Sequence, residues 1–312
     1  MAWGTVFLGS PVLVLLMLCA SITWGYPNSQ TLQSPRVISA RTFRIGVLGD
    51  AQKGLANFSK ITQAVLKEEV DFMIQTGDLV ATNDQGHYRL AEQYLKRGGA
   101  QYWPYVVPGN HDLKGGTERF QQWFGDLEKT FTVGSVAFVI LNDANGIPPD
   151  PTRVEERIRA AGPHEAVVLA MHVPPFDAQE VPRPEFRAFL EWLEKSRVSY
   201  LLCGHAHGYF KKKVGDTTVV VNGVGGDYDS WQFDQRVYAT ILDVDGAGIT
   251  DRTLELPPVH EVWENVEHLA VGHVAEAYRR RPMPCWGATA LLCLLIAGAT
   301  ALVLQKPSAA KQ

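Results

Sequence analysis

Cysteine is scarce in this 312-residue chain: there are four, and Cys19, Cys285 and Cys293 lie in apolar stretches near the ends. Cys203 is then the sole thiol of the central region, which excludes an internal disulfide framework and a structural zinc site built on thiolates. Positive charge is also in short supply. Lysine and arginine number 29 against 33 aspartates and glutamates, giving a formal net charge of −4 and a pI near 6.1. The only runs of positive charge are Lys211 to Lys213 and the arginines at 279–281, so a nucleic-acid-binding face has no basis and no nucleic acid is expected as a partner. Internal repeats and low-complexity tracts are missing too. With 46% hydrophobic and 20% charged residues, the composition is that of an ordinary globular protein.

Residues 2–35 carry no charge at all, and the run VLVLLMLCA at 12–20 is dense enough to be the core of a signal peptide or of an anchor. Small residues near Gly25 suit cleavage, whereas Pro11 and the lack of Lys or Arg ahead of the run suit retention. A second uncharged stretch, WGATALLCLLIAGATALVL at 286–304, has the length a helix needs to cross a bilayer and reads as a single spanning helix. Arg36, Arg41, Arg44 and the 279–281 cluster lie on the domain side, which opposes export by the positive-inside rule. A cleaved leader would favour export, and an extracytoplasmic domain is the expectation. The expected organisation is a signal peptide or anchor at 1–25, a linker at 26–42, a catalytic domain at 43–257, a connector helix at 258–284, a transmembrane helix at 285–305 and a short tail at 306–312.

Between these ends, short β-type runs alternate with amphipathic stretches. FRIGVLG from Phe43, DFMIQTGDLV from Asp71, PYVVPG from Pro104, VAFVILND from Val136, EAVVLAMHV from Glu165 and SYLLCG from Ser199 read as buried strands ending in turns. Helical patterns fall near 57–70, before Arg97, at 117–124, at 152–161 and at 184–196. After Tyr209 the texture is strand upon strand, so the expected fold class is a layered α/β domain whose second half is richer in antiparallel strands. His260, His268 and His273 lie along the expected connector, where their spacing does not put them on one helix face. His87 and His164 sit in polar helix or turn contexts and are expected at the surface.

Five polar blocks stand at the ends of the expected strands: Gly49-Asp50-Ala51-Gln52, Gly77-Asp78, Gly109-Asn110-His111-Asp112, Met171-His172 and Gly204-His205-Ala206-His207. A lone Gly-Asp after a strand is an ordinary turn with an Asx cap. Gly-Asn-His-Asp is more specific, and His-x-His in extended chain puts two imidazoles on one face. In a layered α/β fold the carboxyl ends of neighbouring strands meet along one edge, so the five blocks can converge. Two carboxylates, an asparagine and three imidazoles supply six or more oxygen and nitrogen ligands, which suits a pair of metal ions better than one.

In this order the blocks resemble the signature of the calcineurin-like metallophosphoesterases: Asp-x-His, Gly-Asp, Gly-Asn-His-(Asp/Glu), His and Gly-His-x-His. The match runs from Asp50 to His207, about half of the chain. The resemblance implies that family's αββα sandwich, two mixed sheets flanked by helices. It implies a hydrolase of phosphomonoester, phosphodiester or pyrophosphate bonds, working through a hydroxide that bridges two ions. Asp78 would be shared between the ions, Asp50 and His207 would complete one shell, and Asn110, His172 and His205 the other. His111 would stabilise the transition state or protonate the leaving oxygen, with Asp112 orienting its ring.

One position departs from the pattern. Gln52 stands where the family usually has histidine, and offers a metal only its carbonyl oxygen, so the first site is expected to be oxygen-rich, exchangeable and suited to manganese, magnesium or iron, with zinc possible at the second. Asn142, Asp143 and Asn145, and Asp227, Tyr228, Asp229 and Trp231, end strands or follow glycines and could meet substrate, or be plain turn residues. A phosphorylated small molecule or lipid headgroup is the expected substrate class. The alternative is a membrane-tethered binding module of the same fold with a degenerate metal site.

Overall fold

Strands buried on both faces read as unbroken apolar runs, and VAFVI, AVVLA and YLLC are such runs. In the computed structural model of the chain, which describes residues 32–35, 40–223, 225–226, 236–246 and 248–259, they form the middle of one of two stacked sheets. The described residues belong to one unit, Thr31–Asn265.

In chain order the elements are β1 (Thr42–Leu48), α1 (Leu55–Lys67), β2 (Phe72–Gln75), α2 (Gln85–Arg97), β3 (Tyr105–Val106), α3 (Glu118–Phe124), β4 (Lys129–Val133), β5 (Val136–Ile140) and α4 (Pro151–Ala160). They continue with β6 (Ala166–Ala170), a 3-10 turn (Pro184–Phe186), α5 (Arg187–Leu193), β7 (Tyr200–Cys203), β8 (Tyr209–Val214), β9 (Thr217–Asn222), β10 (Val237–Asp245) and β11 (Gly248–Leu256). The first sheet has the order β11-β10-β1-β2-β3 and the second β4-β5-β6-β7-β9-β8. β1, β2 and β3 run parallel, as do β5, β6, β7 and β9, while β4, β8, β10 and β11 pair antiparallel at the flanks.

The period of two along β5 shows how the layers are made. Val136, Phe138 and Ile140 point between the sheets, against Phe43, Ile45, Val47, Phe72 and Ile74 of the first sheet. Ala137 and Val139 point the other way, toward Val154 of α4 and Phe186, Phe189 and Leu193 at α5. On the outer face of the first sheet, α1 buries Leu55, Phe58, Ile61, Thr62 and Val65, a stripe at helical spacing. The mixed two-sheet sandwich flanked by helices is as the sequence implied. An aromatic cluster fills the space between the sheets: Phe72 meets Phe138 edge-on at 5.5 Å between centroids, and Tyr105 stacks on Phe131 at 4.2 Å.

Helix boundaries follow local chemistry. Asp84 caps α2 by accepting the His87 N–H at 3.0 Å, and Asp150 caps α4 through the Thr152 N–H with Pro151 opening the helix. Asp84 also corrects the surface placement of His87, which is only 3% exposed and whose ring meets the Asp84 carboxylate at 2.7 Å. His164 does lie at the turn after α4, partly exposed and bonded to the Gly162 carbonyl.

The expected single-pass membrane placement is also corrected. Among the described residues no helix is long and apolar enough to cross a membrane. The segments read as leader or anchor, connector helix, spanning helix and tail, with His260, His268 and His273, lie outside the described residues apart from 258 and 259, which are not helical.

Phe138 touches both sheets, so Phe138→Ala should lower the unfolding free energy by about 3–5 kcal/mol, read as a fall in the urea midpoint at constant slope.

Candidate metal centre

The carboxyl ends of β1, β2, β3, β6 and β7 bring the five polar blocks together. Asp50 follows β1, Asp78 follows β2, the 109–112 block follows β3, His172 follows β6 and the 204–207 block follows β7. Sharp turns aim these side chains. Among the described residues six non-glycine positions have positive φ, and four of them are Gln52 at 39°, Asp78 at 55°, His205 at 64° and His207 at 46°. Such conformations cost about 1–3 kcal/mol each and persist where the surroundings enforce them, typically at functional sites.

The surroundings here are close. A Cβ on Gly109 would lie 2.1 Å from the Asp78 nitrogen and 2.3 Å from its Oδ1, and one on Gly204 would lie 2.4 Å from Asp50 Oδ1. The glycine that opens each of these motifs is thus the clearance that lets two ligand-bearing loops touch.

One group of ligand atoms is tightly set. His172 Nε2 lies 3.0 Å from Asn110 Oδ1, His205 Nδ1 lies 3.0 Å from the same oxygen, and the two ring nitrogens are 3.2 Å apart. Asp78 Oδ1 stands 3.5 Å from His172 Nε2. Metal–ligand bonds of about 2.1 Å place neighbouring ligand atoms about 3.0–3.4 Å apart, so the Asn110, His172 and His205 atoms are spaced as corners of a coordination shell, with Asp78 beside them. Asp78, His172 and His205 also form a cluster whose ligand atoms all lie within 4.8 Å of one another. His172 Nδ1 donates to the Thr76 carbonyl at 2.9 Å, which commits Nε2 to the site.

A second group is looser. His207 Nε2 is 3.7 Å from Asp50 Oδ2, and the Gln52 amide nitrogen lies 2.9 Å from Asp78 Oδ2 and 3.3 Å from His207 Nε2. The seven expected ligands, Asp50, Gln52, Asp78, Asn110, His172, His205 and His207, therefore sit at one edge, as two sets that meet at Asp78.

Charge explains the protonation of this edge. Burial opposes a charge on His172, but the carboxylates of Asp78, Asp50 and Asp143 outweigh it and push the ring up to about 10. Burial also opposes charge on Asp78, yet His172 and His111 hold it well below the usual carboxylate range. His205 is pulled down to about 4 by desolvation and by the charge of His172. The donor set of carboxylate, amide and imidazole groups fits a divalent ion.

The structure reassigns two expected roles. Asp112 is fully buried, and its carboxylate accepts the N–H groups of Leu79 at 3.3 Å, Val80 at 3.1 Å and Gly109 at 3.0 Å. It ties the loop after β2 to the loop after β3. The His111 ring is oriented by the Ala81 carbonyl instead, 2.9 Å from Nδ1, while its backbone N–H donates to Asp78 Oδ1 at 2.8 Å. Asp143 is fully buried as well and accepts from the His172 and Val173 N–H groups at 2.8 and 3.0 Å, so it braces the His172 loop. Asn142 and Asn145 bond within their own turn, through Ala144 and Ile147. Asp227, Tyr228, Asp229 and Trp231 lie outside the described residues. Its place shortly after β5 marks Asp143 in the sequence, but does not show this bracing role.

The calcineurin-like phosphoesterase family profile matches residues 43–209, and the chain belongs to that family. Two solved structures share the fold. One is described as GAP50, the anchor in the inner membrane complex of Plasmodium, at 14% identity and a TM-score of 0.54, covering 74% of this chain and 95% of that one. The other is purple acid phosphatase PPD1 from yellow lupin (Lupinus luteus) seeds, at 15% identity and a TM-score of 0.53, covering 73% of this chain and 55% of that one. No curated protein matches the chain by sequence.

Because Asp143 holds the backbone that carries His172, Asp143→Asn should weaken Mn²⁺ binding by roughly 10- to 100-fold in calorimetric titration of folded protein. An unchanged affinity would remove Asp143 from the metal centre.

Proposed function

We propose that the protein is a metal-dependent phosphoesterase whose catalytic unit spans 43–257, and whose centre takes two ions. The observation that carries this reading is the triangle of Asn110 Oδ1, His172 Nε2 and His205 Nδ1 at 3.0–3.2 Å, with the far nitrogen of His172 committed to a carbonyl. Membership of the family supports a phosphorylated substrate.

Asn110, His172, His205 and Asp78 would hold one ion, and Asp50, Gln52, His207 and the shared Asp78 the other. When bound, the ions supply Lewis acidity toward phosphoryl oxygens and toward water. The remaining work falls to the chain. His111 is half-buried, and with Nδ1 engaged by the Ala81 carbonyl its Nε2 is the atom left to exchange a proton with a leaving oxygen. Its backbone bond to Asp78 fixes the distance between that proton and the ligands. Asp112 and Asp143 are positioning residues, each holding two loops in register through buried N–H bonds.

The test uses purified protein stripped with a chelator and reloaded with Mn²⁺, assayed on bis-p-nitrophenyl phosphate and p-nitrophenyl phosphate. Turnover should disappear on stripping and return on loading. His111→Ala should keep its metal and lose roughly 10²- to 10⁴-fold in kcat, while His172→Ala should lose both. Wild-type protein that binds no metal and turns over neither ester would instead be a binding module on the same fold.

A further inference from the structure

Gln52 is held in a way that a metal ligand should not be. Its amide nitrogen points at Asp78 Oδ2, and a carboxylate oxygen only accepts hydrogen bonds. With no cation between them, the amide must therefore present its N–H end to Asp78, because its carbonyl oxygen would face another oxygen lone pair. With a cation between them the requirement reverses, since an amide binds metal only through its oxygen. The same point beside Asp78 thus takes opposite ends of one side chain, according to whether the ion is there.

The rest of the residue is fixed so that only the amide has to turn. The backbone nitrogens of Ala51 and Gln52 both donate to the Asp78 carbonyl at 3.1 Å, which clamps the loop after β1 to the loop after β2. Gln52 is 6% exposed, with its left-handed φ of 39° set by that clamp. Its amide also reaches His207 Nε2 at 3.3 Å, so one NH₂ group bridges two of the ligand atoms that the first ion would need. At the other position Asn110, His172 and His205 face one another directly, so an ion there displaces a ring proton between His172 Nε2 and Asn110 Oδ1 and no side chain has to turn.

Resting on the metal centre proposed above, we infer that the Gln52 amide gates the first position, so that the centre fills in a fixed order. The Asn110–His172–His205 position fills first and tightly. The Asp50–Gln52–His207 position fills second, after the amide has broken its bonds to Asp78 and His207 and turned through half a circle. The two hydrogen bonds lost on loading, one of them to the ionised Asp78 carboxylate, set the positions apart by roughly tenfold to a hundredfold or more in affinity.

The experiment is a titration of the metal-free full chain with Mn²⁺, followed by calorimetry and by electron paramagnetic resonance. Wild type should show two constants at least tenfold apart, with an isolated Mn²⁺ spectrum at one equivalent and a spin-coupled pair only near the second. Gln52→Glu and Gln52→His each remove the primary amide, and both should tighten the weaker constant by tenfold or more while leaving the tighter one in place, which also reports correct folding. Equal constants in wild type, or a gap that survives in both variants, would overturn the gate and leave the binuclear centre standing. A wild-type chain that binds no Mn²⁺ would overturn the metal centre itself, and the gate with it.

Discussion

Four aspartates, Asp50, Asp78, Asp112 and Asp143, lie at most 1% exposed along a single edge of the sandwich, and the edge is organised around keeping them there. A carboxylate removed from water is tolerated only when it is paired or hydrogen-bonded. Asp112 takes three backbone N–H bonds, Asp143 takes two, and Asp50 accepts from the His205 N–H through both oxygens at 3.0–3.1 Å. Asp78 takes the His111 N–H and the Gln52 amide. The left-handed turns at Gln52, Asp78, His205 and His207 belong to these same loops.

Backbone bonds satisfy the lone pairs but not the charge. Burial and the neighbouring Asp78 push Asp112 up to about 7, and burial raises Asp143 to about 6. His172 and His111 instead keep Asp78 ionised despite burial. Asp112 and Asp143 differ from Asp78 in that their oxygens are taken up by backbone N–H groups, whereas an Asp78 oxygen stands 3.5 Å from the His172 ring nitrogen. The strain of the turns is offset at the opposite end of the strands, where Phe43, Phe72, Tyr105, Phe131 and Phe138 pack between the sheets.

Much of this was readable from residue order. The parallel strands were, because strands buried on both faces are continuous apolar runs, and so was the convergence of the five blocks, since parallel strands deliver their carboxyl ends to one edge. β4 was not: KTFTV is short, half-exposed and paired only on one side, so its alternation carries little contrast. The burial of His87 was hidden because a polar helix pattern says nothing of a capping aspartate three residues away whose second oxygen takes the ring. Asp112 was recognised as part of the site but given the wrong partner. Adjacency in sequence to His111 pointed to the ring, whereas the sharp turn after β3 sends the carboxylate back to Leu79 and Val80. Asp143 was legible as a strand-end polar residue, but not as the brace of a histidine 29 positions later.

Fold likeness by itself does not separate catalysis from binding. A structure described as an anchor and one described as a phosphatase resemble this chain equally well, at TM-scores of 0.54 and 0.53. The bracing explains how one sandwich could serve both. Asp112, Asp143 and the clamp of Ala51 and Gln52 on Asp78 hold the loops through bonds within the protein. Ligands held in advance lose little freedom when an ion arrives, which favours binding, yet the same rigidity lets the fold outlive the loss of a ligand. The proposed hydrolysis therefore rests on the cluster of Asp78, Asn110, His172 and His205 and not on the sandwich that delivers them there.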